Sequence, residues 1–314
     1  MNAMNHLAFS RISVRRAGCL LAAALLILPA TLHAQGTRIF VSGKGSDAND
    51  GSLAKPKRFL EAAHNAAPAG GEIVILDSAV YGTLNITKSI DIKATDGAVG
   101  YILLNTTGGA ITINAAAADT VNLRGLNLKT NLVGELHGIY AQSVGTLNVQ
   151  DCTVQGFGYG IDFAPAANAS LLVDHCTMRN CAIGLRGQPA NFAMGTIRDS
   201  TMIGNNVGAS FTGFNRFAVI DSTITANGTG LRAVSGNSHV LLKHCQVVSN
   251  STGLSSAGSS DSLLRVEECS VSFHTQSFGS ALVTKDGGRI LSRGNNALIG
   301  NHDDGSFTGT YTPL

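Results

Sequence analysis

Five polar side chains recur along the chain at intervals of 22 or 24 residues, each two positions after a glycine: Tyr140, Asp162, Arg186, Ser210 and Arg232. A cation beside a substrate carboxylate stabilises the enolate that forms when the neighbouring C–H proton is removed, and a nearby base takes that proton. If the five residues share one face of the fold, Asp162, Arg186 and Arg232 are the candidate catalytic residues. Tyr140 and Ser210 are then the candidate substrate-binding residues.

Hydrolysis by paired carboxylates is less favoured by the same series. Inverting glycosidases hold two carboxylates about 6.5–9.5 Å apart, whereas the series continues to Thr112 on one side and to Ser255 and Ala281 on the other. Asp162 therefore has no carboxylate neighbour, although it could bind calcium instead. An Asp–Arg pair on adjacent strands also stabilises a sheet without any catalysis, so the series predicts either a working site or an ordinary exposed face.

A second set of titratable residues recurs at intervals of 22–24 residues. Its members are Asp151, His175, Asp199, Asp221, His244 and Glu268. Asp and His are metal ligands, and the pair Asp199–Asp221 would be the place for a cation. Asp is also favoured in turns because its side chain bonds nearby backbone amides, and Arg198 and Lys243 compensate the charge of the set. The turn interpretation requires no cofactor and leaves calcium as the alternative.

A small residue follows each member of that set. These residues are Cys152, Cys176, Ser200, Ser222, Cys245 and Cys269. We expect them to point inward, because free cysteine packs as a small apolar group. Two disulfides, Cys152–Cys176 and Cys245–Cys269, are the alternative, since an oxidising compartment permits them and adjacent strands lie within the allowed Cα range.

Asn205, Asn227 and Asn250 form a further set, which begins at Cys181 and ends at His274. Stacked asparagine amides hydrogen-bond to one another along the axis of a stack of strands. The set therefore predicts a structural ladder rather than a binding site.

These intervals require a repeating architecture. Each unit of 22–24 residues holds three short runs of alternating apolar and polar residues, separated by turns. Strands this short are stable only when they stack on their neighbours, at about 4.8 Å per rung. Propellers need longer antiparallel blades, and leucine-rich repeats need a Leu-x-Leu-x-x-Asn pattern. The sequence therefore predicts an all-β solenoid, a parallel β-helix of about nine coils over 72–301.

The segments on either side of the solenoid have their own patterns. The pattern of residues 35–71 predicts an N-terminal strand, a loop and a capping helix. The composition of residues 302–314 predicts a polar C-terminal tail. The helix, at 57–67, is expected to place Phe59, Leu60, Ala63 and Ala67 over the open end of the core. Such a cap protects an unpaired sheet edge from aggregation.

The first 34 residues have the pattern of a bacterial-type secretory signal peptide: three arginines, an apolar run from Ala17 to Leu28, and a small residue, Ala34, at the cleavage site. Without them, 19 Lys and Arg face 20 Asp and Glu, a net charge of −1. That balance argues against nucleic acid as a partner. No later segment is apolar enough to span a membrane, so the protein is expected to be secreted or periplasmic.

The N-terminal region carries a resemblance to a known family. Its order is a strand, then Gly45-Ser46-Asp47-Ala48-Asn49-Asp50-Gly51-Ser52, then Phe59-Leu60-Glu61-Ala62-Ala63, then Gly71-Glu72-Ile73-Val74-Ile75. This order, together with the repeat, resembles the pectin lyase-like superfamily of right-handed parallel β-helices. The resemblance implies that fold over nearly all of the mature chain. It implies no single activity, because the superfamily includes pectate lyases, polygalacturonases, alginate epimerases, phage tailspikes and adhesins.

In the enzymes of that superfamily the substrate groove follows the strand face that carries the Asp162 series. The leading hypothesis is thus a protein that engages acidic polysaccharide along the face from Tyr140 to Arg232, as a lyase or an epimerase. The competing hypothesis is a non-catalytic extracellular structural or adhesive protein. It is favoured by the short coils, which leave little chain for groove walls, and by the absence of tryptophan.

Overall fold

The computed structural model describes residues 37–274 and 279–312. The predicted signal peptide, 1–34, lies outside these residues. Within them the chain winds through about nine coils, and every pairing between its named strands in the three sheets is parallel. The predicted all-β solenoid is therefore confirmed. Over the part of the chain that the structure describes, no helix has the length and apolar character needed to cross a membrane.

Each complete coil contributes one strand to each sheet, and the ends of the described solenoid add three further strands to sheet A and one to sheet C. Sheet A contains the described strands Arg38–Val41, Gly71–Ile75, Ile90–Ala94, Thr120–Arg124, Thr146–Gln150, Ala169–Asp174, Ala193–Arg198, Asn215–Ile220, Ser238–Lys243, Leu263–Glu267, Arg289–Ser292 and Gly309–Thr310. Sheet B contains Leu84–Ile86, Gly109–Asn114, His137–Ser143, Tyr159–Phe163, Ile183–Gly187, Val207–Thr212, Thr229–Val234, Thr252–Ala257 and Ser280–Lys285. Sheet C contains Ala79–Val80, Gly100–Leu104, Leu126–Thr130, Thr153–Gln155, Thr177–Arg179, Thr201–Ile203, Thr223–Thr225, Gln246–Val248, Ser270–Ser272 and Ala297–Ile299.

The bend from sheet A to sheet C explains the set of titratable residues. All six members have left-handed backbone conformations, with φ between 48° and 53°: Asp151, His175, Asp199, Asp221, His244 and Glu268. Aspartate tolerates this conformation better than most residues, because its short polar side chain can bond the local backbone. The turn interpretation therefore accounts for the set.

The small residues after this bend form a hydrogen-bonded column in the core. The hydroxyl of Ser200 donates to the carbonyl of Arg198 at 2.7 Å and accepts the backbone N–H of Cys176 at 3.1 Å. The thiol of Cys176 donates in the same way to the carbonyl of Asp174, at 3.2 Å. All five described cysteines are buried free thiols. The prediction of inward-facing small residues is confirmed, and no described pair forms the alternative disulfides.

The asparagine ladder lies at the bend from sheet C to sheet B. The backbone N–H of Asn205 donates to Oδ1 of Asn227 at 2.9 Å, and that of Asn227 donates to Oδ1 of Asn250 at 2.8 Å. At the ends, Cys181 donates to Asn205, and Asn250 donates to Nδ1 of His274. Each rung thereby satisfies buried backbone donors that would otherwise be unpaired, as the sequence predicted.

A short helix, Leu60–Ala66, packs over the N-terminal end of the core. Leu60 and Ala63 are fully buried and Ala67 is 3% exposed, as predicted. The prediction for Phe59 is wrong, since this residue lies before the first helical turn and is 42% exposed. Its ring instead lies beneath the guanidinium of Arg58, 4.5 Å from the ring centroid.

Candidate functional site

The outer face of sheet B holds the predicted series in register. Tyr140 pairs with Asp162, Asp162 with Arg186, Arg186 with Ser210, and Ser210 with Arg232. The five residues thus occupy five successive rungs, which at about 4.8 Å per rung span about 19 Å. The structure brings together all five residues that the sequence singled out.

Asp162 and Arg186 form the centre of this face. Nε and Nη2 of Arg186 donate to Oδ1 and Oδ2 of Asp162, each at 2.7 Å, a bidentate geometry that strengthens the pair. Asp162 lies on the outer face of the sheet, but it is fully buried there because Arg186 and His137 cover it. Burial alone would raise the pKa of Asp162, but contacts with His137 and Arg186 outweigh it and hold that pKa below its ordinary value.

His137 and Tyr159 complete the arrangement, and the sequence did not predict either residue as part of the site. Nδ1 of His137 lies 2.9 Å from Oδ2 of Asp162. The His137 ring stacks on Tyr140 at 4.1 Å and on Tyr159 at 5.1 Å, centroid to centroid. The guanidinium of Arg186 lies 3.7 Å above the Tyr159 ring, a cation–π contact. These five residues, His137, Tyr140, Tyr159, Asp162 and Arg186, are called the sheet B site below.

The reason for this omission lies in the glycine of the repeat. Counting back from the buried Ile139 with a period of two would place Gly138 outside and His137 inside. In the structure a Cβ on Gly138 would lie 2.4 Å from both the carbonyl of Gly160 and a methyl of Val154, so position 138 faces the packed interior. Two successive positions face inward, and the side chain of His137 emerges on the outer face. The signal available in the sequence was an aromatic residue before the glycine in two successive coils.

Ser210 and Arg232 extend the face toward the C-terminus. Nε of Arg232 donates to the hydroxyl of Ser210 at 2.9 Å, and Ser210 is 3% exposed beneath it. Among the described residues Arg232 has no carboxylate partner, and burial lowers its pKa. Arg232 is therefore a cation with remaining capacity for an anionic ligand.

The far end of the predicted series requires a correction. Ser255 pairs with Val283 rather than with Ala281, which is fully buried and occupies the glycine position of its coil. The next member of the series is therefore Val283, two residues later than the spacing predicted.

One side of the site is bounded by a longer connection. The segment 131–136 joins Leu126–Thr130 to His137–Ser143, whereas the next three connections at this bend have three residues each. The carboxylate of Glu135 lies 3.5 Å from the Tyr159 hydroxyl, and Val133 is 96% exposed at the tip of the segment. This segment is a low wall beside the aromatic side chains.

The group of three possible metal ligands found among the described residues includes Asp199 and does not include Asp221. Ligand atoms of Asp174, His175 and Asp199 lie within 4.8 Å of one another, while Asp221 lies 3.4 Å from His244. Asp174 is already engaged by His175 and by Arg198, each at 2.8 Å. Calcium takes roughly six to eight oxygen ligands, so this cluster and the sequestered Asp162 fit it poorly.

Known proteins share this architecture. A solved structure of pectate lyase Pel9A is similar, with 12% identity, a TM-score of 0.53, and coverage of 87% of this chain and 79% of the lyase. The A-module of mannuronan C-5 epimerase AlgE4 from Azotobacter vinelandii has 9% identity and a TM-score of 0.49, with coverage of 87% and 100%. A rhamnogalacturonan lyase has 13% identity and a TM-score of 0.42, with coverage of 76% and 74%.

At these identities the similarity to Pel9A concerns the fold alone. A search of curated proteins finds no match to this chain. The model of the family described as "right handed beta helix region" matches residues 137–302, which is more than half of the chain. Together with the three parallel sheets and the 22–24-residue coils, this match shows that the chain belongs to the right-handed β-helix family.

Proposed function

We propose that the sheet B face binds an acidic polysaccharide and that His137, held by Asp162, removes the C5 proton of a bound uronate residue. Abstraction of this proton is a step that a lyase and a C5 epimerase share. The observation that carries the proposal is the position of His137, whose Nδ1 lies 2.9 Å from the buried carboxylate of Asp162 in an ion-pair contact that is not aligned as a hydrogen bond.

The chemistry follows from these contacts. A carboxylate beside Nδ1 favours the tautomer in which Nδ1 carries the proton, so the lone pair of Nε2 is available as a base. The C5 proton moves to Nε2, and the electron pair of the C5–H bond moves into the substrate carboxylate as an enolate. The free N–H groups of Arg186 stabilise that charge. Arg232 lies four rungs from the rung of His137, about 19 Å, and binds the carboxylate of another sugar of the same chain. Asp162 acts as a positioning residue, because Arg186 and His137 cover it.

The intermediate has two outcomes. In a lyase the electron pair returns to form the C4–C5 double bond, the C4–O4 bond breaks, and the leaving oxygen takes a proton from a tyrosine hydroxyl or from water. In an epimerase C5 takes a proton from the opposite face of the sugar ring. Tyr140 and Tyr159 stack on His137 on the outer face of sheet B, and their phenol groups are available as proton donors.

A non-catalytic adhesive role is the second candidate, and one observation favours it. Both oxygens of Asp162 are occupied by Arg186, a pairing that also stabilises adjacent strands in proteins without activity. In this role the aromatic and arginine side chains bind sugar and no C–H bond breaks.

Deuterium exchange separates the two candidates. The purified protein is incubated in D2O with polygalacturonate and with alginate, and deuterium at C5 is measured by NMR together with the absorbance of unsaturated uronate. We expect exchange that falls at least 100-fold in His137→Gln, since general-base catalysis contributes roughly 10²–10⁴-fold. His175→Asn, at an exposed bend of another edge, is the matched control and should exchange like wild type.

Undiminished exchange in His137→Gln would refute the role of this residue. Retained binding of a polymer by wild type without any exchange would favour the adhesive role over catalysis. We also propose that the protein is exported, on the pattern of residues 1–34. N-terminal sequencing of protein recovered outside the cytoplasm should begin near Gln35.

A further inference from the structure

A second charged surface lies on the outer face of sheet A. Four successive strands each place one basic residue there: Arg216, His239, Arg265 and Arg289. Arg216 pairs with His239, and one column further across the strand Leu241 pairs with Arg265. The column of Arg216 continues through Leu263 to Arg289, so these two arginines lie three rungs apart, about 14 Å.

Carboxylates of the described residues do not neutralise these arginines. Nη1 of Arg216 donates to the backbone carbonyls of Asn215 and Asn237, at 2.7 and 2.9 Å, and Nε of Arg289 donates to the carbonyl of Ser260 at 2.9 Å. For Arg265 no hydrogen bond or ion pair occurs within the described ranges. Most arginines elsewhere on this sheet, such as Arg124 and Arg198, are paired with aspartate instead.

The basic residues surround a depression rather than a flat sheet. A groove of about 480 Å³ lies between Arg216, Arg265 and His239, with Leu172, Ala218 and Leu241 in its lining. Ala218 is the smallest of these outward-facing side chains, and the groove forms where it leaves space. The volume falls within the roughly 300–1,000 Å³ of ligand sites, and the lining combines an apolar floor with charged edges.

The charges of the groove act on one another. Burial, with the nearby charges of Arg216, Arg265 and Arg289, lowers the pKa of His239, and Asp261 opposes them. The pKa of Arg216 is lowered by burial and by the charge of Arg265. Like charges held together without a partner destabilise one another until an anion binds between them.

We propose that this groove, named the sheet A groove, binds a chain of carboxylated or sulfated sugars, independently of the sheet B site. Guanidinium groups recognise carboxylate and sulfate through paired N–H donors. Their repetition along the solenoid suits a polymer that carries one anionic group per sugar. The apolar floor contacts the C–H faces of the rings.

Nucleic acid is the less favoured polyanion for this surface. Single-stranded nucleic acid binds on exposed aromatic platforms, whereas the aromatic ring in the groove lining, Phe217, is 3% exposed. The basic residues also cover only four strands of a chain whose mature form carries a net charge of −1.

Binding to the full mature protein tests the proposal. Calorimetry would compare a hexagalacturonate, a heparin-derived hexasaccharide and neutral maltohexaose, in a His137→Gln/Arg232→Gln background that weakens the sheet B site. We expect one or both anionic hexasaccharides to bind, with at least a tenfold loss of affinity in Arg216→Gln/Arg265→Gln. The matched control, Lys129→Gln/Arg179→Gln, removes two cations from sheet C and should bind normally.

A second readout excludes a purely structural role for the arginines. NMR titration of His239 should show its pKa rising when an anionic hexasaccharide occupies the groove, because the ligand offsets the arginine charges. Equal affinity in Arg216→Gln/Arg265→Gln, an unchanged His239 titration, or tighter binding of an oligonucleotide would overturn the proposal. Because the background variant lacks His137 and Arg232, failure of the proposed lyase or epimerase activity leaves this outcome unaffected.

Discussion

The sheet B site and the sheet A groove use the same scaffold in opposite ways. Both consist of outward-facing side chains on successive rungs, at the same repeat of about 4.8 Å. In the sheet B site Arg186 and Asp162 neutralise each other through two hydrogen bonds of 2.7 Å, beside His137. In the sheet A groove Arg265 has no such partner among the described residues, and Arg216 bonds only to carbonyls.

The difference shows that rung spacing alone does not define what a face of a β-helix does. A charge that is already paired fixes the geometry of its neighbours, as Asp162 fixes His137. An unpaired charge keeps its hydrogen-bonding capacity for a ligand, at some expense in stability. Removing a cation should therefore lower the free energy of unfolding in the sheet B site and leave it unchanged or slightly higher in the sheet A groove.

The largest effect is expected from Arg186→Ala. This change leaves the carboxylate of Asp162 buried without its main partner, and breaking a buried pair costs about 3–5 kcal/mol. We expect about 3 kcal/mol, the lower end, because the Arg186 side chain is itself 22% exposed and water can enter. The free energy of unfolding from denaturant titration measures it. Arg179→Ala on sheet C is the control and should change that free energy by no more than about 0.5 kcal/mol. An equally small loss in Arg186→Ala would contradict the difference between the two surfaces.

An intermediate effect is expected on how the free energy of unfolding changes with pH under acidic conditions. The pKa of Asp162 is lowered in the folded state, so its stabilising contribution is present above the unfolded value of about 3.9 and is lost as the pH falls through the folded pKa. Wild type should therefore lose stability more steeply below about pH 4 than Asp162→Asn does. Unfolding curves at a series of pH values measure the slope, and parallel slopes for the two proteins would contradict the assignment.

The smallest effect is expected from Arg265→Gln. Removal of an unpaired cation from a cluster of like charges should leave the free energy of unfolding within about 0.5 kcal/mol of wild type, with a change toward greater stability. Salt screens such repulsion, so raising the ionic strength should stabilise wild type slightly more than Arg265→Gln. Thermal unfolding at low and high salt provides the measurement. A clear loss of stability in this variant would mean that Arg265 is a structural residue.

The sequence predicted the fold and the columns well, because both depend on local spacing. The 22–24-residue repeat, the Asn205–Asn227–Asn250 ladder and the series from Tyr140 to Arg232 all appear in register. Such features need no knowledge of how side chains pack across the face.

Other features of the site depend on contacts that spacing does not encode. His137 reaches the outer face because Gly138 interrupts the alternation, and Asp162 is buried because its neighbours pack over it. The groove depends on the coincidence of Ala218 with arginines from different coils, which becomes visible only when the strands are aligned. The spacing of the sequence does not single out His239 for the same reason.

The hydrogen-bonded columns have a consequence for how this molecule could evolve. Each of the six coils that carry the bend residues from Asp151 to Glu268 has its own left-handed bend, its own core hydroxyl or thiol and its own rung of each sheet. A gene duplication or deletion of one of these coils would therefore preserve these connections. Arg216 lies on the coil two rungs beyond that of Asp162. Such an event between them would lengthen or shorten their separation by one step of about 4.8 Å. It would also alter the sheet A groove, whose lining includes Leu172 on the strand after that of Asp162. The distance along the axis between Asp162 and Arg216 is therefore a heritable quantity that changes in whole rungs.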